Sequence, residues 1–335
     1  MIDRICMCRA KCAQSQTVWL ATVPSVERRS LGIARTSSAL PRLLAALLAG
    51  LLFVATGQAQ TYEQLVECGL RAAQADSLAE AESLFYKALR LQPSDYRNAL
   101  LYTDLGRVQE ALYWQDTHNG RKADEALESY GLAIGLAPEA VPMLMARATF
   151  YLRLGIYDKA ILDFTRILTV NEQHLAALNY RAYCHGQLRS YGEARQDYDR
   201  VLSLDEDNYE AQLGLAILEQ QTGHLNAGIE RMTQLIEEQA QTLVESAEES
   251  TSRAASGELY SVRAGMYAEN QQPELALLDL DTAVQQEPEN VNYILARAYL
   301  HQQQGNKRLA LKDFEQAIAL GIPPASLSEE LKACK

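Results

Sequence analysis

The densest group of metal-ligating side chains in this sequence is Cys6, Cys8 and Cys12. Zinc takes four such ligands in a tetrahedron, and no His or second Cys pair stands near enough in sequence to complete the set. Asp205, Glu206, Asp207 and Asn208 resemble the opening of a calcium loop, but the loop's Gly and its bidentate Glu are missing at the required offsets. The same four residues suit a turn that caps a following helix. His118, His174, His185, His224 and His301 are scattered and form no ligating pair. Close carboxylates such as Asp279 and Asp281 read as hydrated groups on an acidic surface. Phosphate-cradling glycine loops and a serine nucleophile elbow are missing. The residues therefore point to no catalysis, no metal and no cofactor, which leaves binding by shape.

Shape requires elements, and the stretch from Leu144 to Val170 shows which. Ala148 is followed by Ala160, Phe164 and Ile167, and the same offsets recur as Ala182, Ala194, Tyr198, Val201, then Ala264, Ala276, Leu280, Ala283, then Ala298, Ala310, Phe314, Ala317. Within each unit the apolar residues fall at three-and-four spacing, which gathers them on one helical face. Gly155 lies where the chain must reverse, a place that favours a residue free to take a positive φ. The small residues let paired helices approach, and the large ones fill the space beside them. Composition agrees with close-packed helices: many Ala, and 17 Tyr against 5 Phe and 2 Trp.

This pattern resembles the tetratricopeptide repeat, whose signature runs W-x2-L-G-x2-Y, later A-x3-F, then P. One copy reads Tyr260, Arg263, Ala264, Tyr267, Ala276, Leu280 and Pro288, and another Leu65, Cys68, Gly69, Ala72, Ala81, Phe85 and Pro93. The match covers roughly residues 61 to 322. It implies an all-α, right-handed solenoid of about seven helix hairpins, with units near 62-95, 99-140, 141-174, 175-208, 209-256, 257-290 and 291-322, and a capping helix in 323-335. It also implies that the first helices line a concave groove, into which the fifth and ninth residues of each unit point. Here these are Met145 and Thr149, Asn179 and Tyr183, Leu213 and Ile217, Ser261 and Gly265, Leu295 and Tyr299. Such a wall is neutral and partly apolar, and suits a protein segment or peptide with hydrophobic anchors. The family's clamp for a terminal carboxylate needs Lys, Asn and Arg at groove positions, and only Asn179 is present.

Two units depart from the thirty-four-residue period. Gly106 and Ala126 are twenty apart where other copies have twelve, which adds about one turn to each helix, with a tip at His118, Asn119 and Gly120. Tyr113 and Trp114 then stand on a spur, either packed on each other or forming an aromatic contact patch. In the fifth unit Gly228 and Met232 replace the usual small and bulky residues. The segment 236-256 is read as a second lengthened hairpin, two turns added to each helix with the tip near Ser250, or as a flexible linker. Past GIPP, residues 325 to 333 form an amphipathic cap through Leu327 and Leu331. Cys68 takes an inward position, and Cys184 and Cys334 are far from it in sequence.

The formal charge is -12, and residues 1 to 59 hold seven basic and two acidic residues, which leaves the remainder at -17. An acidic chain lacks the basic footprint of a nucleic-acid binder. Residues 40 to 60 read as a secretory signal: Arg42, an apolar run from Leu43 to Val54, and small Gly57 and Ala59 before a cut. The run of about twelve falls short of the roughly twenty that span a bilayer, so no membrane insertion of the mature chain is expected. No Met lies between Met7 and Met143, so translation is expected to start at a non-Met codon, with the stretch upstream of residue 40 mis-assigned. The expectation is an exported scaffold in the periplasm or envelope of a Gram-negative-type bacterium. The alternative is a carbohydrate- or nutrient-binding accessory of an outer-membrane uptake system, with the aromatic spur as sugar platform.

Overall fold

A computed structural model describes residues 60 to 245 and 256 to 334. The expected signal and start site lie outside them. Two compact units divide at Ala137 and Pro138. The first holds α1 (Tyr62–Gln74), α2 (Leu78–Leu91), α3 (Asn98–Gln115) and α4 (Gly120–Leu136). The second holds α5 (Val141–Arg153), α6 (Tyr157–Val170), α7 (Leu175–Gln187), α8 (Tyr191–Leu204), α9 (Tyr209–Gln221), α10 (Leu225–Glu245), α11 (Gly257–Glu269), α12 (Pro273–Gln286), α13 (Val291–Gln303) and α14 (Lys307–Ala319). A 3-10 turn, Pro324–Leu327, leads into α15 (Ser328–Cys334). Consecutive helices pack as seven hairpins, and no strand occurs among the described residues.

The small-and-bulky notch works as its spacing suggests. Ala148, Ala160, Phe164, Ala298, Ala310 and Phe314 are all fully buried. Where the notch is glycine the helices come closer still: a Cβ on Gly69 would sit 2.4 Å from the Phe85 ring, and one on Gly106 2.7 Å from Tyr130. Larger side chains there would overpack two rings that have no room to yield.

A second periodic device is the buried ion pair. Arg147 binds Asp163, Arg181 binds Asp197, Arg263 binds Asp279 and Arg297 binds Asp313, always sixteen residues apart and across one hairpin. In each, Nε and Nη2 donate to the two carboxylate oxygens at 2.7 to 2.9 Å. In three of the four the remaining nitrogen reaches back to the preceding hairpin: Arg181 Nη1 to Thr165 at 3.1 Å, Arg263 to Thr233 at 3.0 Å, Arg297 to Asp281 at 2.8 Å. This corrects the reading of Asp279 as a hydrated acid. Asp279 is 4% exposed and held by Arg263, and Asp281, though exposed, receives Arg297.

The lengthened second hairpin has helices of 18 and 17 residues, against 13 and 14 in the third. The fifth differs from expectation. The added turns lie on α10, with 21 residues, whereas α11 keeps the ordinary 13. The reversal within that hairpin is at Gly223, while the expected tip near Ser250 falls outside the described residues. At the carboxyl end Leu327 and Cys334 are buried against Ala298, Ala310 and Phe314, with Leu331 beside them. The cap thus begins as a 3-10 turn and uses Cys334 as an apolar plug.

Six hairpins turn through one left-handed residue at equivalent positions: Gly155, Gly223 and Gly305, but also Asp76, Arg189 and Gln271. The following amide closes the turn onto the last helical carbonyls, as Ile156 N–H does on Tyr151 O at 2.9 Å and Gln272 N–H on Tyr267 O at 2.8 Å. A side chain in the left-handed region costs about 1–2 kcal/mol, partly offset by the greater unfolded-state freedom of glycine. Gln271→Gly is therefore expected to stabilise the chain by about 0.5–1 kcal/mol. Gly305→Ala should move the urea midpoint in the opposite direction, and equal midpoints would refute the strain.

Candidate functional site

The wall named from the sequence lies entirely in the second unit. Helices α5, α7 and α9 touch side by side, so the residues at positions five and nine form two rows across them. Tyr183 is the exposed member at 40%, and Met145, Thr149, Asn179, Leu213, Ile217, Ser261, Gly265, Leu295 and Tyr299 are half-buried.

Several of these side chains have structural duties. The Thr149 hydroxyl donates to the carbonyls of Met145 and Ala146 at 2.9 and 3.0 Å. Leu213 packs with Ala216, Met232, Leu235, Leu259 and Met266, and Leu295 joins two successive core clusters. Tyr299 meets Phe314 edge-on with ring centroids 5.3 Å apart. Asn179 Nδ2 donates to Asn208 Oδ1 at 3.0 Å, and that same oxygen caps α9 by accepting from Ala211 N–H at 3.1 Å. Asn208 Nδ2 in turn donates to Asp205 Oδ2 at 2.9 Å, so the acidic run 205 to 208 is a helix-capping turn.

Sequence reasoning omitted Tyr180, 41% exposed and 5.7 Å from the Phe164 ring. It sits one residue after the expected fifth position, and its signal was its size between Asn179 and Arg181. With Tyr183, which meets Tyr157 edge-on at 6.2 Å, it gives the fourth hairpin two exposed tyrosines.

In the first unit Tyr113 and Trp114 are half-buried and stack edge-on at 4.9 Å. Trp114 Nε1 donates to Glu110 Oε1 at 3.4 Å, and Tyr130 OH donates to Glu110 Oε2 at 2.9 Å. On its other face the hairpin is tied to α2, where Lys122 Nζ donates to both Glu82 oxygens at 2.7 and 2.8 Å. Gln109 bridges Tyr86 and Ser129 beside it. Cys68, expected inside, is half-buried, whereas Cys184 and Cys334 are buried, and all three are free thiols.

The family model described as "Tetratricopeptide repeat" matches residues 176–208, which span α7 and α8. The chain carries tetratricopeptide repeats. Among solved structures, this tetratricopeptide repeat chain is similar to a tetratricopeptide repeat protein from Parabacteroides merdae. The two are 28% identical with a TM-score of 0.66, over 82% of this chain and 99% of that one. The anaphase-promoting-complex hetero-tetramer Cut9–Hcn1, at 14% identity and a TM-score of 0.50 over 77% of this chain and 52% of that one, shares the fold. Among curated relatives, the CTR9 homolog of Arabidopsis thaliana is 32% identical over 118 residues, 34% of this chain and 11% of the relative. Human DnaJ homolog subfamily C member 7 is 24% identical over 163 residues, 48% of this chain and 30% of the relative. The chain thus spans about a tenth to a third of these relatives' length.

Burial sets the titration of this region. It pushes the Cys184 thiol up to about 12 from 9.0, and raises the Tyr198 phenol well above its ordinary value of 10.0. Tyr183 rises to about 12 through partial burial and the neighbouring Tyr157. Between the ordinary and raised values the unfolded chain releases protons that the folded chain keeps. The stabilisation is therefore fully present below about pH 9 and lost as pH climbs toward about 12. A melting temperature that falls steeply between about pH 9 and 11 is expected, and less steeply in Tyr198→Phe. Parallel pH profiles for the two proteins would contradict this.

Proposed function

We propose that the chain is an exported, non-catalytic scaffold that binds a protein segment along the wall formed by α5, α7, α9, α11 and α13. The observation that carries this reading is the row of neutral side chains at Met145, Thr149, Asn179, Tyr183, Leu213, Ile217, Ser261, Leu295 and Tyr299, set on a stack of repeats whose arginines are used internally. An apolar and aromatic surface with no free cation at these positions favours a segment anchored by hydrophobic side chains over one ending in an acidic tail. Tyr180 and Tyr183 offer the exposed aromatic area for such an anchor. Tyr113 and Trp114 supply a further contact patch at the lengthened hairpin.

The test is crosslinking capture of partners from the native envelope, followed by affinity measurement with the captured segment. Tyr183→Ala and Ile217→Arg are expected to weaken binding at least tenfold while each variant stays folded, with a wild-type helical circular dichroism spectrum. Undiminished affinity in both would remove the wall from consideration, and binding of glycans but not peptides would favour the uptake-accessory reading.

Export rests on residues 40 to 60, and no helix among the described residues is long and apolar enough to cross a membrane. The mature protein isolated from the periplasm is expected to begin at Gln60. A cytoplasmic protein that retains residues upstream of Ala59 would contradict export.

A further inference from the structure

We propose that the joint between the fourth and fifth hairpins, α7–α8 and α9–α10, is the hinge of the second unit. Three other joints in this unit carry the same latch, an arginine that holds its own hairpin's aspartate and reaches back to the hairpin before it. These are Arg181 to Thr165, Arg263 to Thr233 and Arg297 to Asp281. At the fourth joint the equivalent residue is Leu215, which is buried and has no donor. The acceptor site on α8 is occupied by Asp199, exposed to solvent, and the aspartate position on α10 is Arg231.

What replaces the latch is poorly matched. Glu219, 6% exposed, faces Arg195 of α8 at 3.7 Å and Arg231 of α10 at 3.5 Å, both longer than the 2.7 to 2.9 Å of the bidentate pairs. Its Oε2 and the Arg231 Nε are buried without a hydrogen-bond partner. Buried polar atoms left in this state favour any motion that admits water to them.

Across the rest of the joint the Tyr198 ring lies on the bare backbone of Gly214, where a Cβ would be 2.3 Å away, so this contact is ring on backbone and carries no polar lock. Asn179 and Asn208 make one hydrogen bond close by. On the far side, Gln220 donates to Glu269 of α11 at 2.7 Å, which fastens the fifth hairpin to the sixth. Hairpins three and four therefore move against hairpins five to seven. Such rotation changes the separation of Asn179 and Tyr183 from Leu213 and Ile217. The hinge holds whatever the wall binds.

Hydrogen exchange read by mass spectrometry on the full chain tests this. Amides of α9 from Ala211 to Leu218 are expected to exchange at least tenfold faster than the equivalent amides of α7 and α13. The triple variant Leu215→Arg/Glu219→Tyr/Arg231→Asp copies the arrangement of Arg263, Tyr267 and Asp279. It should slow exchange in α9 at least tenfold and leave α7 and α13 unchanged. Equal exchange of α9 and α7 in the wild type, or a folded triple variant with unaltered exchange in α9, would overturn the proposal. Should the triple variant not fold, Arg181→Leu/Asp197→Leu removes the latch one joint earlier. It must then accelerate α7 at least tenfold, and no acceleration would equally overturn the role given to the arginines.

Discussion

The interaction on which the second unit depends is a guanidinium held flat against a buried carboxylate. Arg147–Asp163 and its three equivalents are not a cheap source of stability, because desolvating two charges offsets much of their attraction. Their value is geometric. A bidentate fork fixes both the distance and the rotation of one helix against its partner, which a smooth contact between alanines leaves free. In Arg181, Arg263 and Arg297 the third nitrogen then ties that hairpin to the one before it, so each of these three joints inherits a fixed angle.

Apolar packing and the ion pairs divide the labour. Gly69 beneath Phe85, or Gly106 beneath Tyr130, sets how close the helices come, and the arginine sets how they are turned. The same division explains the fifth hairpin. Gly228 and Met232 preserve the apolar notch there, for a Cβ on Gly228 would meet Ala216 O at 3.1 Å and Met266 Sδ at 3.2 Å. Leu215 and Arg231, in contrast, abandon the polar lock. Close approach is kept and angular constraint is lost.

This also accounts for what could be read in the chain before its structure. The notch recurs as residue size at fixed spacing, so the hairpins and the longer α3 and α4 were legible from Ala, Gly and aromatic positions alone. Arg263 and Asp279 recur just as regularly, but the arginine reads only as a position of the repeat and the aspartate as a hydrated surface acid, and the sixteen-residue offset joins two helices whose pairing must be known first. The left-handed turns at Asp76, Arg189 and Gln271 were hidden because only Gly155 and its glycine equivalents advertise a positive φ. In the fifth hairpin the extra residues revealed an insertion but not which helix absorbed it. Apolar residues such as Leu243 and Val244 continue the spacing of α10 and could as well have begun a separate helix.

The wall was legible as positions and not as roles. Helical spacing places Leu213, Leu295 and Tyr299 in the same two rows as Asn179 and Tyr183, yet Leu213 and Leu295 are committed to packing between hairpins and Tyr299 to Phe314 of its own hairpin, and Tyr183 remains the most open. A residue at such a position has two competing employers, the neighbouring hairpin and the guest. Which one it serves depends on how tightly adjacent first helices are drawn together. Where an arginine latch closes the joint, as between α5–α6 and α7–α8, the spacing of the rows is fixed and recognition must come from side-chain chemistry, here the tyrosines. Where the latch is missing, the spacing itself becomes adjustable, so Asn179 on one side of the joint and Leu213 on the other need not present a preformed surface. Rigidity and recognition are thus set by the same few positions, and relaxing one polar lock alters both.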